Sequence, residues 1–161
     1  MKKLAGVALL GVLALLAIVA TALATDSSGV MSTSLAQGNV EQIDVRVKTG
    51  AWKVQIDTKG PTTLAVSENR VAPGGHFGWH SHPGPSLVIV KSGTSTFYRG
   101  DDPDCTPEVH RTGTAYVDPG GVVHTARNES LTEPLVLLVT RLVPEGAAPR
   151  IDEPDPGNCN F

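Results

Sequence analysis

The sequence predicts an all-β domain, a small antiparallel barrel or sandwich, on three observations. From Val40 onward apolar residues recur with period two. Glycine and proline, 17 and 12 of 161 residues, cut the chain into short runs. No stretch after Ala24 shows helical spacing over ten residues. About eight short strands with this punctuation favour a barrel or sandwich in one domain.

The elements follow in order. Lys2 and Lys3 precede an uncharged run from Leu4 to Ala24, and Ala22-Leu23-Ala24 is a small-x-small cleavage site. Residues 1–24 therefore read as a signal peptide, or as a signal anchor, since the run is also long enough to span a bilayer. Either way the two lysines stay inside and the domain lies outside, secreted or in the cell envelope. Residues 25–39 are small and polar and read as a flexible linker. Residues 40–150 read as the barrel. Ile43, Val45 and Val47 alternate with charged residues, as do Trp52, Val54 and Ile56 with Lys53, Gln55 and Asp57. Lys59-Gly60-Pro61 breaks the run, and Thr62 to Val71 resumes it. Ser86 to Val90 and Pro134 to Val143 are the most apolar stretches, as buried strands require. Thr94 to Tyr98, Thr114 to Val117 and Val122 to Ala126 complete the set. Residues 151–161 form a tail too rich in acids, proline and glycine for a core strand. Cys105 and Cys159, an even count in an exported chain, are expected to form a disulfide that holds this tail.

Charge excludes one class of partner. The 13 basic residues less Lys2 and Lys3 leave 11 against 16 acidic, a net of −5, and no basic patch interleaved with aromatics appears. Nucleic acid is not an expected partner, and a membrane is one only through an uncleaved residue 1–24 segment.

All five histidines lie between Gly74 and His124. His80 and His82, two residues apart, share one face of a strand that Pro83-Gly84-Pro85 then ends. His124 follows Asp118-Pro119-Gly120-Gly121, a turn by composition that folds a strand back beside an earlier one. A lone histidine on an apolar face is usually a core residue; three converging ones make a candidate metal centre. Three neutral imidazoles fit iron(II), zinc, copper or nickel, and spacing does not choose among them. His76 is read as a rim residue, with an extra ligand or a donor that supports the ligands from behind as the alternatives. His110 is read as exposed in a loop. Phe77 and Trp79 fall opposite the histidines on a regular strand and read as packing against another sheet or a second subunit, which leaves a homodimer open.

These residues resemble the two motifs of the cupin superfamily. The first motif runs glycine, five residues, His-x-His, three or four residues, glutamate, six residues, glycine. Gly74, His80, His82, Ser86 and Gly93 hold those places, with serine where the family has glutamate. The second runs glycine, five residues, proline, one residue, glycine, two residues, histidine, three residues, asparagine, and Gly113, Pro119, Gly121, His124 and Asn128 match throughout. The motifs occur once and span Gly74 to Asn128, similar to single-domain type 2 cupins and the small quercetin dioxygenase-like ones. The resemblance implies an antiparallel jelly-roll β-barrel with His80, His82 and His124 as ligands to one metal ion. Ser86 is a poor donor to a divalent ion, so at most it supports the ligands. No Asp or Glu occurs between Glu68 and Asp101, which leaves no local substitute for the carboxylate. The implied site has three histidines, as in cysteine dioxygenase-like and acetylacetone dioxygenase-like cupins, and not the four ligands of germins; that resemblance favours iron(II), with zinc, nickel, manganese and copper as the alternatives. Asn128-Glu129-Ser130 also matches a glycosylation sequon, but the motif already accounts for Asn128.

Three neutral ligands leave a divalent ion its full charge, which favours a small chelating anion such as a thiolate, an enolate or an α-hydroxy acid. A dioxygenase of such a substrate is one expectation. The other is a non-catalytic metal- or ligand-binding module of the cell envelope, because this fold hosts many functions. Arg70, Arg99 and Arg127 are the candidates for clamping a substrate carboxylate.

Overall fold

Alternating runs and glycine turns give twelve strands in the computed structural model, which describes residues 24–161. The expected signal peptide or anchor thus lies outside the described residues, apart from Ala24. Among the described residues there is no helix. Every strand pair is antiparallel.

The strands are β1 (Ser28–Val40), β2 (Asp44–Thr49), β3 (Trp52–Asp57), β4 (Thr62–His76), β5 (His80–Ser81), β6 (Ser86–Ser92), β7 (Thr94–Arg99), β8 (Glu108–Arg111), β9 (Ala115–Asp118), β10 (His124–Arg127), β11 (Leu135–Pro144) and β12 (Ile151–Asp152). Ten of them form one sheet in the order β12-β5-β10-β4-β11-β6-β9, with β1 added on β4 and the β7–β8 pair added through β7 on β10. The sheet rolls into the nearly closed jelly-roll barrel expected from the motifs. Val71, Val88, Val90, Phe97, Leu135, Leu137 and Val139 fill it. They alternate with outward residues along each strand, as on β6, where Val88 and Val90 are buried and Leu87 and Ile89 exposed.

Two boundaries differ from expectation. Residues 25–39 are no flexible linker: they carry β1, which pairs with β4 from Ser28↔His76 to Val40↔Thr62. The composition misleads because β1 is held by backbone bonds along an edge, with only Val30 turned even partly inward. The β2–β3 hairpin, the clearest alternation in the sequence, stands apart as a two-stranded sheet, and its Val45, Val47, Trp52 and Ile56 are exposed. Period two marks a strand, not its partner sheet.

The tail is tied at several points. Cys105 and Cys159 form the expected disulfide, with Cα atoms 5.3 Å apart. Upstream of it, β12 pairs with β5 (Asp152↔His80, Ile151↔Ser81), and Glu153 N–H donates to the Trp79 carbonyl at 3.0 Å. Phe161 lies against Trp79 and under Arg127, whose guanidinium carbon is 4.0 Å from the ring centre.

Candidate metal centre

The site is built where β5, β6, β9, β10 and β11 meet inside one end of the barrel. β5 and β10 are in register at His80↔His124, and His82 lies two residues beyond His80 on the same face. The downstream turn holds the pair together: Gly121 N–H donates to the His82 carbonyl at 2.8 Å. Gly120 makes that approach possible, since φ is 76° and a Cβ would lie 2.5 Å from the Gly84 carbonyl oxygen.

His80, His82 and His124 are 4, 3 and 2 % exposed, and one nitrogen from each falls in a group spanning at most 4.8 Å, so that together they could hold a metal ion. Each Nδ1 is tied to a backbone carbonyl: His80 to Gly78 at 2.9 Å, His82 to Pro149 at 2.7 Å, His124 to Val122 at 2.8 Å. A carbonyl only accepts, so the proton sits on Nδ1 and each Nε2 offers its lone pair. Burial pushes the ring of His80 down to about 2 and that of His82 to about 4, and lowers His124 as well. Neutral rings of fixed tautomer, each held by its second nitrogen, are what metal ligation by imidazole needs. The residues fit a divalent ion.

The cavity they face measures about 30 Å³ and is walled by Phe77, Val88, Phe97, Leu137 and Val139. Ser86, at the motif's glutamate position, lines it with a buried hydroxyl that has no hydrogen-bond partner. Two charged residues join it that sequence reasoning did not place there. Asp118, read only as a turn residue, is 3 % exposed and puts Oδ2 3.4 Å from His82 Nε2 and 3.3 Å from His124 Nε2. Arg141 of β11 borders the cavity, and its buried Nε has no partner. Both flank Ser86 in register, Asp118 across β9 and Arg141 across β11. The absence of a nearby carboxylate in the chain therefore does not hold in space. Register, which no local spacing encodes, is the signal that would have found them.

Other expected residues lie elsewhere. Gly78, with φ of 68°, breaks the strand between His76 and His80, so His76 does not reach the cavity. Its Nδ1 accepts from Gly78 N–H at 3.2 Å on a surface pocket near Phe161. The same break turns Phe77 into the cavity wall and buries Trp79 beneath the tail, inside the chain and not against a second subunit. His110 is not exposed: it stacks on Tyr116 with ring centres 4.1 Å apart. The three candidate arginines are engaged on the surface, Arg70 with Glu68, Arg99 with Asp101 and Arg127 with Glu129.

The barrel encloses a buried group of three histidines that could hold one metal ion. The family model described as a cupin domain matches residues 68–141, the stretch that carries both motifs and the three histidines, which supports membership of the cupin superfamily. The chain is also similar to solved structures. One is a Streptococcus pyogenes protein of unknown function, 20% identical over 73% of this chain and 76% of that one, with a TM-score of 0.47. Another is a cupin superfamily protein of Desulfitobacterium hafniense, 14% identical over 71% and 77%, TM-score 0.47. A Klebsiella pneumoniae protein with a double-stranded β-helix domain is 22% identical over 71% and 80%, TM-score 0.47. No curated protein matches.

Proposed function

We propose that this domain is an extracytoplasmic metal-binding cupin that takes a small anionic ligand beside its ion. The observation that carries the reading is the set of three carbonyl-anchored imidazoles, which aim Nε2 lone pairs into one cavity. A divalent ion held there supplies a Lewis-acid centre and, as iron(II), the redox chemistry of oxygen activation. His80, His82 and His124 hold it; Phe77, Phe97 and Val139 exclude water around it. Arg141 supports the anionic ligand: burial lowers its pKa, its Nε is unpaired, and it borders both the cavity and an outer pocket of about 460 Å³ that Arg150 also lines. Export is supported by Lys2-Lys3, the apolar run and the disulfide.

The ligand is small. A cavity of about 30 Å³ has room for little more than a water beside an ion, against roughly 300–1,000 Å³ for drug-sized ligands. That observation favours metal or ligand binding without turnover as the second reading, and it disfavours flavonol-sized substrates near the ion.

Elemental analysis of protein from its own host tests the metal. One equivalent is expected in the wild type and loss of it in His80→Ala, His82→Ala and His124→Ala; full occupancy in His82→Ala would sink the assignment. Oxygen uptake by the iron(II) form with small thiols and β-diketones then separates the readings. Uptake abolished by His124→Ala supports a dioxygenase, and none across the panel supports the binding module. Arg141→Gln is expected to keep the ion and weaken binding of the anion by about tenfold or more, the scale of one charge-assisted hydrogen bond.

A further inference from the structure

The carboxylate missing from the first motif returns from the neighbouring strand. We propose that Asp118 is a fourth ligand to the metal ion, in the place the family gives to the glutamate of the Ser86 position. The inference rests on the metal-binding reading above and extends it.

Ser86 and Asp118 are direct partners in the β6–β9 ladder, so their side chains leave the same face of the sheet at adjacent points. Serine at one point leaves the space a glutamate would fill, and aspartate at the other reaches into it. The two oxygens of Asp118 have separate tasks. Oδ1 accepts from Gly120 N–H at 3.0 Å, fixing the carboxylate in the turn. Oδ2 faces the cavity, 3.4 Å from His82 Nε2 and 3.3 Å from His124 Nε2.

That arrangement needs a cation. Both rings carry their proton on Nδ1, where it is given to the Pro149 and Val122 carbonyls. A carboxylate oxygen therefore confronts two lone pairs, a repulsive contact in a buried cavity unless a positive ion, or a proton on one of the rings, lies between them. The separations of Asp118 from His82 and from His124 also suit a shared ion, since donor atoms about 2.0–2.1 Å from a tetrahedral ion stand about 3.3–3.4 Å from one another. Arg141, beside Ser86 on the opposite flank, restores the positive charge that a fourth, anionic ligand removes. The site would then resemble the family's three-histidine, one-carboxylate centre in charge while drawing the carboxylate from β9.

The test uses the complete mature chain, stripped of metal and titrated with zinc and cobalt(II) against a competing chelator. The wild type is expected to bind one ion. Asp118→Asn keeps an oxygen for Gly120 N–H and should fold, with affinity lower by more than about 100-fold, beyond the loss expected for an outer contact, and with altered visible bands of bound cobalt. Ser86→Glu combined with Asp118→Asn should recover most of the lost affinity, by returning a carboxylate to the same space. An Asp118→Asn protein with wild-type affinity and an unchanged cobalt spectrum would overturn the assignment while leaving the three-histidine reading intact. So would a double variant no tighter than Asp118→Asn, or, should the single variant not fold, a double variant more than about 100-fold weaker than wild type. A wild type that takes up no ion overturns both.

Discussion

Asn128 shows how one side chain can set the geometry of the site without touching it. It is 1 % exposed, and its amide donates to the carbonyls of Val71 at 3.1 Å, Ala72 at 3.1 Å and Glu133 at 2.8 Å, while Oδ1 accepts from Ser130 N–H at 3.2 Å. The end of β10 is thereby pinned to β4 and to the start of β11, four residues from His124. A sugar on this nitrogen would displace those contacts, so the motif reading of Asn128 holds and the sequon is incidental. Asn128→Ala is expected to lose about 2–3 kcal/mol, because buried carbonyls are left without a donor; urea unfolding of metal-free protein measures it. Asn128→Asp should cost more, since a carboxylate would then face acceptors. Legibility at this scale divides cleanly. The three histidines and Asn128 sit at fixed intervals within the two motifs and were readable. Asp118 and Arg141 reach the cavity through pairing with Ser86 across two ladders, and nothing in their local sequence marks it.

At the scale of elements, the turn between β9 and β10 is the part that joins fold to site. It carries Asp118, donates Gly121 N–H to the His82 carbonyl, and delivers His124 opposite His80. Its glycines were legible as a turn, but their tight fit against the Pro83-Gly84-Pro85 segment was not. Two substitutions separate the effects. At Gly113, φ is 83° and no atom lies within 4 Å of a built Cβ, so Gly113→Ala should cost only the left-handed penalty of about 1–2 kcal/mol and leave metal affinity unchanged. Gly120→Ala carries the same penalty and also drives a methyl to 2.5 Å from the Gly84 carbonyl oxygen. The turn must shift, and both a larger fall in stability and weaker metal binding are expected. Equal affinity in the two variants would mean the turn does not position the site. The strands that sequence missed, β1, β8 and β12, share one cause: they are exposed or half-exposed additions to the sheet, held mainly by backbone ladders that leave little apolar pattern to read.

At the scale of the molecule, the segment at Thr25 and the C-terminal tail meet beside the end of the barrel that carries the three histidines. Thr25 N–H donates to the Glu153 carbonyl at 3.1 Å, and its hydroxyl accepts from Trp79 N–H. Pro149 holds His82, β12 extends the ladder beside His80, and Ser81 Oγ donates to Glu153 at 2.7 Å. The disulfide lies further out, between Cys105 and Cys159, and closes a 54-residue separation. Its removal therefore acts on stability before it acts on the site. Cys105→Ser with Cys159→Ser should lower the unfolding free energy by about 4 kcal/mol in the chain-entropy model. Amide exchange should rise over residues 154–161, while residues 149–153 stay protected and the ion stays bound. Loss of the ion in that variant would show that the tail beyond Glu153 helps to form the site. Export makes a matching prediction at the other end. Cleavage after Ala24 would leave Thr25 as the first residue, and its new ammonium can still donate to the Glu153 carbonyl, so processing costs the fold only the Ala24↔Pro154 bridge. Intact-mass analysis of protein from its own host should give a chain beginning at Thr25 and lacking two hydrogens for the disulfide. A chain beginning at Met1 in the membrane fraction would support the anchor instead, and a cytosolic protein with two alkylatable thiols would overturn export altogether.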